Sequence, residues 1–340
     1  MSDEKNTARV ISPHDKVIKT AYSDLENARS LLHDRLPEKV LKLVDLNTLE
    51  ISKDSFIEKD LAEYYSDLLY KVKLTDGTRG FIYVLFEHKS YYDRFVHLQL
   101  LEYMVKIWRL YIKQHKKQLD YLPIVIPLLV CHAKKEWPED TVRLASLLSG
   151  PVNDLTGYIP DFGFELYDLH RFSDDQIKGT IASRVILLLL KHIRDQDLRQ
   201  KLPGILALMQ ALMEKETGLQ WLEVVIRYLA SALDEDDLSW EQIKEIAEKA
   251  ISKETGGYVM TLAEKLRNEG KLEGLVEGEL KGEAKGLRNA IELGITLKFP
   301  GDIEDVMAKV NKTDDLDTLV KVTDVIKIAK DISEILALLK

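Results

Sequence analysis

The sequence predicts an α/β fold over residues 1–200 and an all-helical region over 201–340. Apolar runs of strand length gather between about residues 66 and 132, some alternating with polar residues as half-buried strands do. A long amphipathic pattern of helical spacing stands among them, at about 94–117. Strand patterns thin out after that, and from about Leu202 onward the apolar residues recur almost entirely at helical intervals.

Taken in order, residues 1–13 read as a disordered arm. Pro13 and Asp15 suit a helical first turn, so a helix is expected from there to about Asp34. Leu36-Pro37 breaks it, because the residue before proline is driven to extended backbone. A short helix near 38–44 and a short extended piece at 46–51 follow. Strands are predicted at about 66–74 and 80–88, joined through Thr75-Asp76-Gly77-Thr78, a hairpin signal. The helix at 94–117 carries Leu101, Met104, Val105, Trp108, Tyr111 and Ile112. Leu122–His132 is apolar and branched, as a buried strand is. One more strand at 164–169 and a helix at 174–192 complete the first region. Helices are then expected near 204–215, 218–233, 239–252 and 258–293, and beyond Pro300-Gly301 at 303–310, 316–326 and 332–339.

The length of 340 residues allows two or three domains, and a hydrophobic fraction of 45% is that of a globular protein. The single cysteine, Cys131, cannot form an internal disulfide, which fits a reducing compartment. The polar N-terminus has no signal-peptide core, and no apolar stretch reaches the roughly 18 residues of a membrane helix. The expectation is a soluble cytoplasmic protein with no membrane partner. A net charge of −9 excludes coating of nucleic acid by bulk charge, but not a local basic groove. The eight histidines show no zinc-ligand spacing with the one cysteine, and no glycine-rich loop precedes a helix, so zinc and a nucleotide cofactor are not expected.

The residues that carry chemistry cluster at the second strand. Glu87-His88-Lys89 closes the apolar run Phe81–Phe86. In a strand Glu87 and Lys89 share one face and His88 takes the other. A buried strand has no packing use for a carboxylate and an ammonium. Phosphodiester cleavage has: a hard divalent cation takes carboxylate oxygens, and a nearby lysine orients water or holds phosphate charge. Asp67, on the preceding strand, supplies a second carboxylate. Without a cation the two acids would repel and raise each other's pKa. For them to face each other directly, Thr75 must lie opposite Arg79 across a three-residue loop; a two-residue Asp-Gly turn would send Glu87 to the wrong face. On the following helix Gln99, Tyr103, Lys106, Arg109, Lys113 and Lys117 run along one face, a stripe able to follow a phosphate backbone or, as charge runs often are, an ordinary solvated surface. His88, His132 and His14 read as core or cap neighbours rather than ligands.

At these residues the sequence resembles the bacterial recombination-promoting nuclease/transposase family (YhgA-like), within the PD-(D/E)XK nuclease superfamily. The resemblance is carried by Pro13-His14-Asp15 with Lys16 and Lys19, Leu36-Pro37, Ser66-Asp67-Leu68-Leu69-Tyr70, Phe86-Glu87-His88-Lys89-Ser90 and Gln99-Leu100-Leu101-Glu102-Tyr103-Met104. Tyr158-Ile159-Pro160 and Tyr167-Asp168-Leu169 are similar too. It implies a mixed sheet flanked by helices and a metal-dependent DNA endonuclease of little sequence specificity, using Mg2+, Mn2+ or Ca2+. Asp67 and Glu87 match the metal-binding acids, Lys89 the motif lysine, and Gln99 and Tyr103 a Gln-x-x-x-Tyr motif. Asp15 matches an acidic residue on the first helix, and Ser66 departs from the proline of the motif name. The family name implies a link to recombination and mobility; nothing in these residues shows strand transfer.

The competing expectation is a catalytically silent DNA-binding or oligomerising protein on the same fold. It draws on Gly270, Gly274, Gly278, Gly282 and Gly286, which recur every fourth residue. Each costs about 1 kcal/mol against alanine inside a helix, so the stripe reads either as a close helix–helix contact, such as one between two copies, or as a flexible charged linker.

Overall fold

In a computed structural model of the chain, residues 13–52, 68–87, 93–115, 119–132, 137–138, 142–233 and 237–339 are described. The chain divides into two compact units, 1–260 and 261–340.

The first unit opens with α1 (Pro13–Tyr22) and α2 (Leu25–Arg35). The single helix expected there is two. Asp24 takes extended backbone, and its carboxylate accepts from the N–H groups of Glu26 (2.8 Å) and Asn27 (3.3 Å), starting a new helix. Asn27 in turn donates from Nδ2 to the carbonyl of Ala21 in the last turn of α1. Leu36 is extended at ψ 140°, as its proline neighbour demands, and α3 (Glu38–Leu41) follows.

Five strands form one mixed sheet in the order β1 (Val44–Ile51), β2 (Leu68–Leu74), β3 (Arg79–Glu87), β4 (Ile124–Cys131), β5 (Glu165–Asp168). β1, β2 and β3 are antiparallel, whereas β3, β4 and β5 run parallel. The parallel step from β3 to β4 needs a crossover, and α4 (Val96–His115) provides it.

The hairpin register departs from the expectation. Lys73 pairs with Arg79 and Leu68 with Val84, and the Leu74 N–H donates to the Thr78 carbonyl (2.8 Å). The loop is therefore Thr75-Asp76-Gly77, one position earlier than direct opposition of Asp67 and Glu87 requires. Gly77 adopts φ +86°, and the Asp76 carboxylate accepts from the N–H of Thr78 (2.9 Å). Those two residues select a three-residue turn that closes with a left-handed residue. The odd loop still keeps residues of equal parity on one face of both strands.

That parity sorts the core. Odd-numbered Phe81, Tyr83, Val125, Leu129 and Cys131 pack against Val96, Leu100, Met104 and Ile107 of α4. Even-numbered Tyr70, Val72, Ile82, Val84, Leu128 and Val130 are buried on the other face. There the Tyr70 hydroxyl donates to the Tyr22 carbonyl at the end of α1 (2.6 Å).

The helix expected at 174–192 is shorter. A 3-10 turn at Asp174–Gln176 precedes Gly179 at φ +125°, and α5 (Ile181–His192) starts from a Thr180 cap. Residues on every side of α5 are buried, as in a central core helix. It is followed by α6 (Leu198–Ala207), α7 (Gln210–Met213), α8 (Gly218–Ala232) and α9 (Trp240–Ala250). α8 packs on α1, and α9 on α6.

The division between units falls within α10 (Lys253–Lys298). In the second unit α11 (Ile303–Val310), α12 (Leu316–Ile328) and α13 (Ile332–Leu336) close a small core around Ile291, Ile295, Val306, Val310, Leu319 and Val322. The five spaced glycines lie in α10, and a Cβ on any of them would meet nothing within 4 Å. Gly294 differs: its Cβ would stand 2.8 Å from Ile326 Cγ2, so close packing requires glycine there.

Candidate functional site

Of the sequence-predicted site residues, Asp67, Lys89 and Lys117 lie outside the described residues, as does His88. Glu87 is the last residue of β3, in register with Cys131 at the end of β4; its backbone alone is described. One rung further along the parallel ladder, Cys131 pairs with Asp168 at the end of β5. The carboxyl ends of three parallel strands thus meet at one edge, where open α/β sheets place their ligand crevices.

α4 covers the odd-numbered face of this edge. Asp93 starts it, its carboxylate accepting from the Phe95 N–H (2.9 Å). Two ring contacts fix its direction: Tyr103 stacks on Tyr83 (centroids 5.1 Å, 29°), and Tyr111 meets Phe81 edge-on (6.1 Å, 83°). The helix therefore runs opposite to β3. Gln99, one turn before Tyr103, lies about 6 Å further toward the strand end that holds Glu87. Gln99 is half-buried, and its Nε2 is buried with no hydrogen-bond partner among the described residues. A buried amide donor left unpaired costs about 1–3 kcal/mol. Such an atom suits a site built for an oxygen-rich ligand rather than for packing alone.

The rest of the basic row divides by environment. Lys106 donates to Glu102 (2.6 Å) and lies 5.8 Å over the Tyr103 ring, so its ammonium already has partners. Arg109 and Lys113 are exposed.

Asp15 is buried on α1, at 8% exposure, on the helix layer that packs against the even-numbered face. Beside it, His14 Nδ1 is 2.8 Å from the Tyr228 hydroxyl of α8, and the His14 ring is 5.6 Å from His132, the residue after β4. Burial raises the Tyr228 phenol well above its ordinary range, so the hydroxyl keeps its proton. The sequence holds no signal for this pairing, because its partners are 214 residues apart.

A second cluster also escapes sequence reading. His192, at 3% side-chain exposure, has Nε2 2.8 Å from Asp174 and Nδ1 2.7 Å from Asp195, while Lys191 donates to Asp174 (2.6 Å). It ties the 3-10 turn to the end of α5. Among the described residues, no three histidine, cysteine, aspartate or glutamate side chains gather as a metal site. Among the described residues, no helix is long and apolar enough to cross a membrane.

Residues 12–220 match the family model described as "Putative transposase, YhgA-like". The chain is 34% identical over 260 residues to the inactive recombination-promoting nuclease-like protein RpnE of Escherichia coli K12, covering 76% of this chain and 83% of that one. It is 27% identical over 297 residues to the recombination-promoting nuclease RpnA of the same strain, covering 87% and 96%. With RpnC, also named a recombination-promoting nuclease, identity is 28% over 262 residues, covering 76% and 82%. No solved structure matches the chain.

Proposed function

The chain belongs to the YhgA-like transposase family, and on that footing we propose that it is a metal-dependent DNA endonuclease with a PD-(D/E)XK core. The observation that carries the reading is the buried Nε2 of Gln99, without a partner among the described residues, on the helix that covers the Glu87 end of β3. Two relatives named recombination-promoting nucleases, matched over most of their lengths, support it. The even hairpin register supports it too, since it keeps residues of one parity on one face.

Asp67 and Glu87 would hold a divalent cation, Mg2+ first, because carboxylates are hard oxygen donors. When bound, the cation supplies neutralisation of the scissile phosphate's growing charge. Lys89 orients the attacking water or holds the same charge. Gln99 donates its unpaired N–H to a phosphate oxygen, and Tyr103, braced on Tyr83, fixes the turn that carries Gln99. Asp15 is a supporting acid. Arg109 and Lys113, with Lys106 and Lys117, follow the phosphate backbone, so cleavage depends little on sequence.

Supercoiled plasmid incubated with purified protein and Mg2+, Mn2+ or Ca2+ tests this. Nicking by the wild type and its loss in Asp67→Ala and Glu87→Ala is the expected result. Equal nicking in all three would overturn it.

A second reading has its own observation: RpnE, 34% identical, is named inactive. A silent DNA-binding or assembly protein would bind DNA or self-associate with indifference to Asp67 and to metal. Asp67, Glu87 and Lys89, all retained in this sequence, weigh toward catalysis.

A further inference from the structure

A cavity of mixed polar and apolar lining lies at the other end of α4. Its volume is about 220 Å³, and Lys71, Arg79, Phe81, Tyr111, Gln114 and His115 line it. The ladder explains why β2 and β3 contribute as they do: Lys71 pairs with Phe81 and Lys73 with Arg79, all four on the odd-numbered face that α4 covers. Phe81 and Tyr111 make an edge-to-face floor, and His115 stacks on Tyr111 (4.1 Å, 23°) with Nδ1 2.9 Å from the Tyr111 carbonyl. Arg79 is exposed at the rim. On the β1 side, Glu50 lies opposite Lys71, and Asp45 opposite Lys73. Asp45 already accepts from the N–H and the side-chain amide of Asn47 (both 3.1 Å).

We propose that this cavity is an anchoring subsite for a phosphate group of a DNA strand. Arg79, Lys71, Gln114 and His115 bring a guanidinium, an ammonium, an amide and an imidazole to the lining of one small space, and these are donor types that a phosphate's oxygens take. The aromatic floor accepts the apolar sugar edge beside it. The cavity also continues the exposed row of Arg109 and Lys113 on the same helix. From Gln99 to Gln114 is 15 residues, or about 22 Å along α4. At about 3.4 Å per nucleotide of a duplex strand, the subsite would hold a phosphate on the order of six nucleotides from the one Gln99 contacts. The inference rests on the reading that the chain handles DNA, but not on its cutting it.

The test is equilibrium binding of the full chain to a fluorescent 20-base-pair duplex by anisotropy, in EDTA so that no cleavage is read, across a salt series. Arg79→Ala on β3 and His115→Gln on α4 place the two changes on different elements, and Lys321→Ala, exposed in the second unit, is the control. Losing the Arg79 contact should weaken binding roughly fivefold and lower the slope of log K against log salt by about one, and His115→Gln should weaken binding with a smaller change of slope. A packing role would not move that slope. Unchanged affinity and slope in both variants would overturn the subsite. So would a shift of the His115 ring signals by inorganic phosphate without any effect of Arg79→Ala on duplex binding, which would make the cavity a free-anion site. Because Asp67→Ala is judged by nicking and these variants by binding, failure of one reading is distinguishable from failure of the other.

Discussion

Replacing Gln99 with leucine should make the protein more stable and less active at once. The side chain is half-buried, and its Nε2 has no hydrogen-bond partner among the described residues. Leucine ends one atom shorter, but it has a similar volume and no polar atoms, so Gln99→Leu removes the donor at little packing cost. An unpaired buried donor costs about 1–3 kcal/mol. Recovering even the lower half of that, about 1–2 kcal/mol, should raise the first unfolding transition by roughly 2–8 °C for a unit of this size. Leu100 and Met104, which seat α4 on the sheet, are untouched. Metal-dependent nicking should fall about tenfold to a hundredfold, as expected for losing one hydrogen bond to a charged phosphate, about 1.5–3 kcal/mol. Thermal and urea unfolding measure the first quantity, and plasmid nicking with Mg2+ the second. A loss of 1 kcal/mol or more in stability would show that the amide has a structural partner. Wild-type nicking would show that Gln99 makes no contact with the reacting phosphate. Either result refutes the reasoning.

Further outcomes follow from packing and from ionisation. Gly294→Ala sets a Cβ 2.8 Å from Ile326 Cγ2 and should destabilise the second unit by about 1–3 kcal/mol, and by less in an Ile326→Ala background where that contact is gone; a double-mutant cycle by urea unfolding checks the coupling. The Asp174 and Asp195 carboxyls lie below the usual range: burial pulls them up, but hydrogen bonds from Lys191 and His192 to Asp174, and from His192 to Asp195, outweigh it. A depressed carboxyl contributes stability above its unfolded pKa, about 3.9, that is lost as pH falls through the folded value. Urea midpoints measured from pH 6 to pH 3 should therefore drop, and Asp174→Asn should start lower and drop less. An equal acid loss in that variant would sink the assignment.

Local periodicity made much of the fold legible. β3, α4, β4 and the helices at 303–310 and 316–328 lie within two residues of their predicted bounds, because alternation and helical spacing are properties of neighbouring residues. The break at Leu36-Pro37 is local chemistry too. Asp24 was the exception: it sits inside a continuous amphipathic pattern, and only its extended backbone shows it to be a cap. The register was not legible, since Thr75-Asp76-Gly77-Thr78 admits several loops that differ by one position and only the pairing partners choose between them.

For the site, the sequence by itself determined the chemistry available: two acids, a lysine, a Gln-x-x-x-Tyr helix and a basic row, spaced so that strand and helix periods bring each set to one face. Tertiary structure decided their surroundings. It buried the Gln99 Nε2 with no partner among the described residues, gave Lys106 a carboxylate, joined His14 to Tyr228 across 214 residues, and closed a cavity between β2, β3 and the far end of α4 that Lys71 and Arg79 help to line. Spacing along a chain fixes which residues share a face. Desolvation and pairing depend on what packs against that face, and those partners come from segments that only folding brings near.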